Sequence, residues 1–140
     1  MKKIAIAVWG TAGIGKTSTI RRVFDRLNVE GKEPDKTIGQ DICTIINLNN
    51  GKKIGIASLG DPCPDQPKWI DYLVRNHCDV IVCACRTKGN TVDTISNLVN
   101  YDYNMVWMSP FSGENWEEYE LNDISADAII KLIERCTLIA

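Results

Sequence analysis

Short, nearly uninterrupted apolar runs alternate along this chain with segments in which apolar residues recur every three or four positions. The runs 4–9, 79–85 and 104–108 read as strands buried on both faces, as parallel strands under helices are. Segment 17–27 puts Ile20, Val23, Phe24 and Leu27 on one helical face, and 66–76 does the same with Trp69, Ile70, Leu73 and Val74. Helices are also predicted over 91–100, with Val92, Ile95, Leu98 and Val99 inward, and over 124–136, with Ala128, Ile129, Leu132 and Ile133 inward. Two β-prone runs, 37–48 and 52–59, flank Asn49-Asn50-Gly51, and Asn-Gly predicts a hairpin because both residues tolerate positive φ. Gly60-Asp61-Pro62 stops the second run, while 28–36 and the acidic stretch 111–122 read as irregular. The order β-α-β-β-α-β-α-β-α predicts an α/β fold: a mainly parallel sheet with one antiparallel hairpin strand and helices on both faces. At 140 residues the expectation is one domain, 1–140, with ligands at the carboxyl ends of the strands.

The chemistry concentrates where the first strand meets the first helix. There the chain reads Gly10-Thr11-Ala12-Gly13-Ile14-Gly15-Lys16-Thr17, a G-x-x-x-x-G-K-T pattern. A polyphosphate is held by folding successive backbone N–H groups around it and meeting it with the positive end of a helix. Gly10, Gly13 and Gly15 supply the curvature, and the residues expected to cradle the phosphates run from Gly10 to Ser18. Lys16 is expected to reach the β- and γ-phosphates, and the Thr17 hydroxyl to ligate Mg²⁺.

This strand, loop and helix resemble those of the P-loop NTPases, most specifically over residues 4–27. The resemblance implies a three-layer P-loop fold, a bound nucleoside triphosphate and Mg²⁺. The element order is similar to that of the Ras-like small GTPases, and in that comparison Thr37 matches the switch threonine, implying a second metal contact. Ala57 stands where the aspartate of Asp-x-x-Gly would be, which leaves Asp61 as the carboxylate to orient water or act as base. The guanine-reading Asn/Thr-Lys-x-Asp is absent, since the corresponding strand ends Trp107-Met108-Ser109-Pro110-Phe111; ATP is therefore expected over GTP by default. Arg86, just past the strand 79–85, is the candidate internal arginine finger.

Composition narrows the setting. With 16 basic and 18 acidic residues, a net charge of -2 gives no general attraction to nucleic acid or to an anionic membrane. No stretch approaches the roughly 20 apolar residues of a membrane span. The apolar run after Met1-Lys2-Lys3 is short enough to be a strand rather than a leader. Six cysteines without C-x-x-C spacing read as free thiols in a reducing compartment, so a cytoplasmic protein is expected. The predicted function is Mg²⁺-dependent binding and slow hydrolysis of a nucleoside triphosphate, switch-like, with Lys16, Asp61 and Arg86 as catalytic residues. The alternatives are a small-molecule or nucleotide kinase, and a non-catalytic nucleotide sensor whose segment 111–122 docks a protein partner.

Overall fold

The computed structural model describes residues 3–137. Its elements are β1 (Ile4–Trp9), α1 (Lys16–Leu27), β2 (Lys36–Ile38), β3 (Asp41–Asn47), β4 (Lys53–Ala57), α2 (Asp65–Arg75), β5 (Val80–Cys85), α3 (Asn90–Ser96), β6 (Asn104–Met108) and α4 (Glu118–Thr137). A single 3-10 stretch, Asn97–Tyr101, extends α3. The six strands form one sheet in the order β2-β3-β4-β5-β1-β6. Strands β4, β5, β1 and β6 run parallel, and β3 is antiparallel to both its neighbours. The predicted α/β class, with a mainly parallel sheet and an antiparallel hairpin, holds.

Alternation along β1 divides the core. Ile6 and Val8 face α1 and α4, together with Ile20, Val23, Ile129 and Ile133. Ala5 and Ala7 face α2 and α3, together with Trp69, Leu73, Ile95 and Leu98. Every residue of β5 is buried, as a strand paired on both edges and covered on both faces requires. Removing these side chains from water supplies the main drive to fold.

Chain order left the sheet order open, and one feature of it shapes the site. β5 lies between β4 and β1, so β4 ends two strand spacings from β1, about 10 Å. The connection from β1 leaves across one face toward the hairpin. The connection from β5 leaves across the other face toward β6. The crevice between the carboxyl ends of β1 and β5 is thus the switch point at which ligands of such sheets bind.

Three boundaries differ from expectation for local reasons. The run 37–48 is broken after Ile38 by a two-residue turn, Gly39-Gln40, with Gly39 at φ 58, so a short β2 folds back on β3. The predicted helix 91–100 is α-helical only to Ser96 and finishes as the 3-10 stretch, whose tighter winding keeps Leu98 buried and turns Val99, expected inward, out to solvent. α4 begins at Glu118, inside the stretch read as irregular, and its buried stripe is Asn122, Ser125, Ala126, Ile129 and Ile133, with Ala128 outward. Glu118 and Glu120 in its first turn complement the helix dipole, which is why an acidic segment can open a helix.

Among the described residues no helix is long and apolar enough to cross a membrane. All six cysteines are free. Burial pushes the Cys43 and Cys78 thiols up to about 12 and the Cys85 thiol up to about 11, which holds them protonated at neutral pH. Cys83 and Cys85 share one face, but as core residues.

Candidate functional site

β1 delivers the chain to the switch point, and the loop from Gly10 to Gly15 carries it into α1. The Gly10 amide donates to the Cys85 carbonyl at 3.1 Å, pinning the start of the loop to the end of β5. Gly15 enters the helix at φ 93, ψ 18, a left-handed conformation costly for any residue with a Cβ. A Cβ there would also overlap the Asn122 carboxamide of α4. No side chain caps α1 and no acidic residue lies in its first turn, so its free N–H groups and dipole are uncompensated. That end of the helix attracts anions.

Lys16 is buried in the loop's concavity, and its ammonium donates to the Gly10 carbonyl at 2.6 Å. Burial pulls its pKa below 10.5, and the nearby Asp61 carboxylate opposes that shift. Beside it the Thr17 hydroxyl donates to Asp41 at 3.0 Å. Asp41 opens β3, and because β3 is antiparallel its first residue stands at the same rim as the carboxyl ends of the parallel strands. Ser58, fully buried just past β4, donates to the same Asp41 oxygen at 2.8 Å and accepts from the Ile42 amide at 2.9 Å. Arg21 of α1 donates to the Gln40 carbonyl at 2.8 Å, tying the turn before Asp41 to the helix that holds Thr17.

These groups surround a cavity of about 240 Å³. Of the expected cradle, Ala12, Gly13, Gly15, Lys16, Thr17 and Ser18 line it; Gly10, Thr11 and Ile14 do not, and the Ile14 side chain lies over Gly10 instead. Asp41, Gly60, Asp61 and Glu118 complete the wall. Asp61 and Arg86, expected separately, meet in an ion pair of 2.7 Å from Arg86 Nε to Asp61 Oδ1. Asp61 lines the cavity and Arg86 does not.

Thr37, expected as a second metal contact, stands exposed on β2 opposite Ile42 and outside the cavity wall. Asp41, four residues later, is the group that meets Thr17. It is a carboxylate on the strand next to β4, at the rim where Ala57 ends β4 without one. The local signal for it was the Gly39-Gln40 turn, which brings Asp41 to the strand end. Trp116 and Tyr119 are each 59% exposed. In comparisons with protein-family models, curated proteins and solved structures, none matches this chain.

Proposed function

We propose that this protein binds a nucleoside triphosphate with Mg²⁺ in the glycine-loop cavity and hydrolyses it slowly, as a switch-like member of the P-loop NTPases with their three-layer fold. One observation carries the reading: an uncapped helix N-terminus, a buried lysine and a Thr-Asp pair converge on one cavity at the switch point of the sheet. ATP is the nucleotide by default, since no guanine-reading motif follows β6.

Mg²⁺, implied by the resemblance, fits the donors on the cavity wall. The Thr17 hydroxyl and the Asp41 carboxylate are hard oxygens 3.0 Å apart, and the described residues contain no group of three His, Cys, Asp or Glu side chains that would form a protein-only cage. Mg²⁺ characteristically takes one or two carboxylates and completes its shell with phosphates and water. When bound it neutralises phosphate charge as a Lewis acid. The chain supplies the rest. Lys16 exchanges the Gly10 carbonyl for a phosphate oxygen, and the first N–H groups of α1 hold the anion. Ser58 keeps Asp41 aimed at Thr17. Asp61, on the same wall, is the group to orient an attacking water. That carboxylate is already engaged by Arg86, which must release it before it can hold a water, hence slow turnover.

A phosphotransferase reading has one observation in its favour. A second cavity of about 380 Å³ begins one residue beyond Asp61, between the starts of α2 and α3, lined by Pro62, Cys63, Gln66, Asn90, Thr91 and Thr94. Its wall suits a small uncharged acceptor. Incubation with MgATP and a panel of small hydroxyl compounds separates the two readings. ADP matched by inorganic phosphate supports hydrolysis, and ADP in excess of phosphate supports transfer. A Lys16→Ala variant that releases phosphate as fast as the native protein would exclude this cavity from either reaction.

A further inference from the structure

The Asp61–Arg86 pair has a consequence for which phosphates the cavity accepts. Asp61 follows β4 and Arg86 follows β5, so the pair bridges the ends of these adjacent strands, on the β4 side of the crevice between β1 and β5. Arg86 uses only Nε toward Asp61, at 2.7 Å, and the Arg86 amide is held by the Thr91 hydroxyl at 2.9 Å. The backbone of Arg86 is therefore fixed, while its guanidinium is held on the Asp61 carboxylate at the cavity's edge, close enough for its charge to act on Lys16. Asp61 stays on the wall, where its negative charge faces any incoming phosphate.

Resting on the nucleotide-binding reading above, we infer that this ion pair is a latch that the terminal phosphate of a triphosphate must open, with Arg86 transferring from Asp61 to that phosphate. A guanidinium grips a phosphate by two parallel N–H bonds, and a phosphate carries more charge than a carboxylate, so the exchange is favourable once the third phosphate is within reach. A diphosphate, one phosphate shorter, leaves the latch closed. Asp61 and Arg86 thereby set the preference for triphosphate over diphosphate: Arg86 adds to triphosphate affinity, and Asp61 subtracts from it.

Calorimetric titration of the native protein, Asp61→Asn and Arg86→Ala with ATP and with ADP, each with Mg²⁺, tests the latch. Exposed ion pairs are worth up to a few-fold in an equilibrium, so Asp61→Asn is expected to tighten ATP about three- to five-fold with a smaller change for ADP. Arg86→Ala is expected to weaken ATP by at least as much and to leave ADP nearly unchanged. In the double variant the part of the Asp61→Asn gain that is specific to ATP should vanish, since it acts through Arg86, leaving only the small gain, shared by ATP and ADP, from removing a negative charge from the wall. Weaker or unaltered ATP binding in Asp61→Asn would make Asp61 a support for Arg86 and overturn the latch while leaving the nucleotide site intact. A native protein that binds neither ATP nor ADP would overturn both. Both side chains lie at the surface, so each variant should keep the native unfolding midpoint, which serves as the control for folding.

Discussion

Replacing Asp41 separates two roles that one carboxylate oxygen performs. Asp41 Oδ1 accepts from Thr17 at 3.0 Å and from Ser58 at 2.8 Å, and Ser58 is fully buried. In Asp41→Ala both donors lose their acceptor. The Ser58 hydroxyl retains only the bond it accepts from the Ile42 amide, so its O–H is stranded in the core. Bonds to a charged group contribute about 1.5–3 kcal/mol each, and partial exposure at the Thr17 side discounts one of them, giving a loss of about 2–3 kcal/mol. For a chain of this size that lowers Tm by about 6–12 °C. Asp41→Asn keeps an oxygen for both donors and removes the charge, so stability should stay within about 1 kcal/mol of native. If the carboxylate also supports Mg²⁺ beside Thr17, the same Asn variant should need about 10–100-fold more Mg²⁺ to reach half-maximal ATP binding. Urea unfolding of the three proteins measures the first effect, and ATP titration at graded Mg²⁺ measures the second. Equal urea midpoints for Asp41→Ala and the native protein would refute the hydrogen-bond argument. An unaltered Mg²⁺ requirement in Asp41→Asn would remove Asp41 from the metal site.

Two further substitutions probe the loop. Gly15→Ala forces a Cβ into a left-handed backbone and against Asn122, and should cost about 1–2 kcal/mol from the backbone alone, with nucleotide affinity falling too; a native unfolding midpoint would count against the geometry described. Lys16 has a native pKa below 10.5 because it is buried, so between that lowered value and 10.5 the unfolded chain binds a proton that the native one has released. Stability conferred at this position therefore rises with pH through that window. Urea midpoints of the native protein and Lys16→Met, measured from about pH 8 to 10.5, should diverge in favour of the native protein as pH rises, and parallel profiles would show that Lys16 is not desolvated.

The parts of this molecule legible in the sequence are those whose signal is local. β1, the glycine loop and α1 are contiguous, and the spacing of Ile20, Val23, Phe24 and Leu27 fixes which side of α1 is buried. β5 was legible as an unbroken apolar run, and β6 as a strand, but the burial on both faces expected of 104–108 fails: β6 is the sheet's edge strand, with Asn104 and Trp107 exposed and the other three residues only half-buried. Asp41 was not, because its partner Thr17 lies 24 residues away and the two meet only through the order of strands, which the chain does not spell out. The Asp61–Arg86 pair shows the same limit. Each residue stood out as a charge just past a strand, yet their contact depends on β4 and β5 being neighbours. The start of α4 was hidden for a different reason: Trp116, Tyr119 and the surrounding glutamates have no helical apolar period, and the helix there is set by its dipole and by Asn122 packing against Gly15.

The central claim is that the glycine loop and Lys16 capture a polyphosphate. Titration of MgATP and MgGTP into the native protein and into Lys16→Ala, followed by calorimetry, addresses it most directly. Saturable 1:1 binding of MgATP that is lost in Lys16→Ala is the expected result, while equal binding in the two proteins, or no heat from either nucleotide, would contradict capture by the loop.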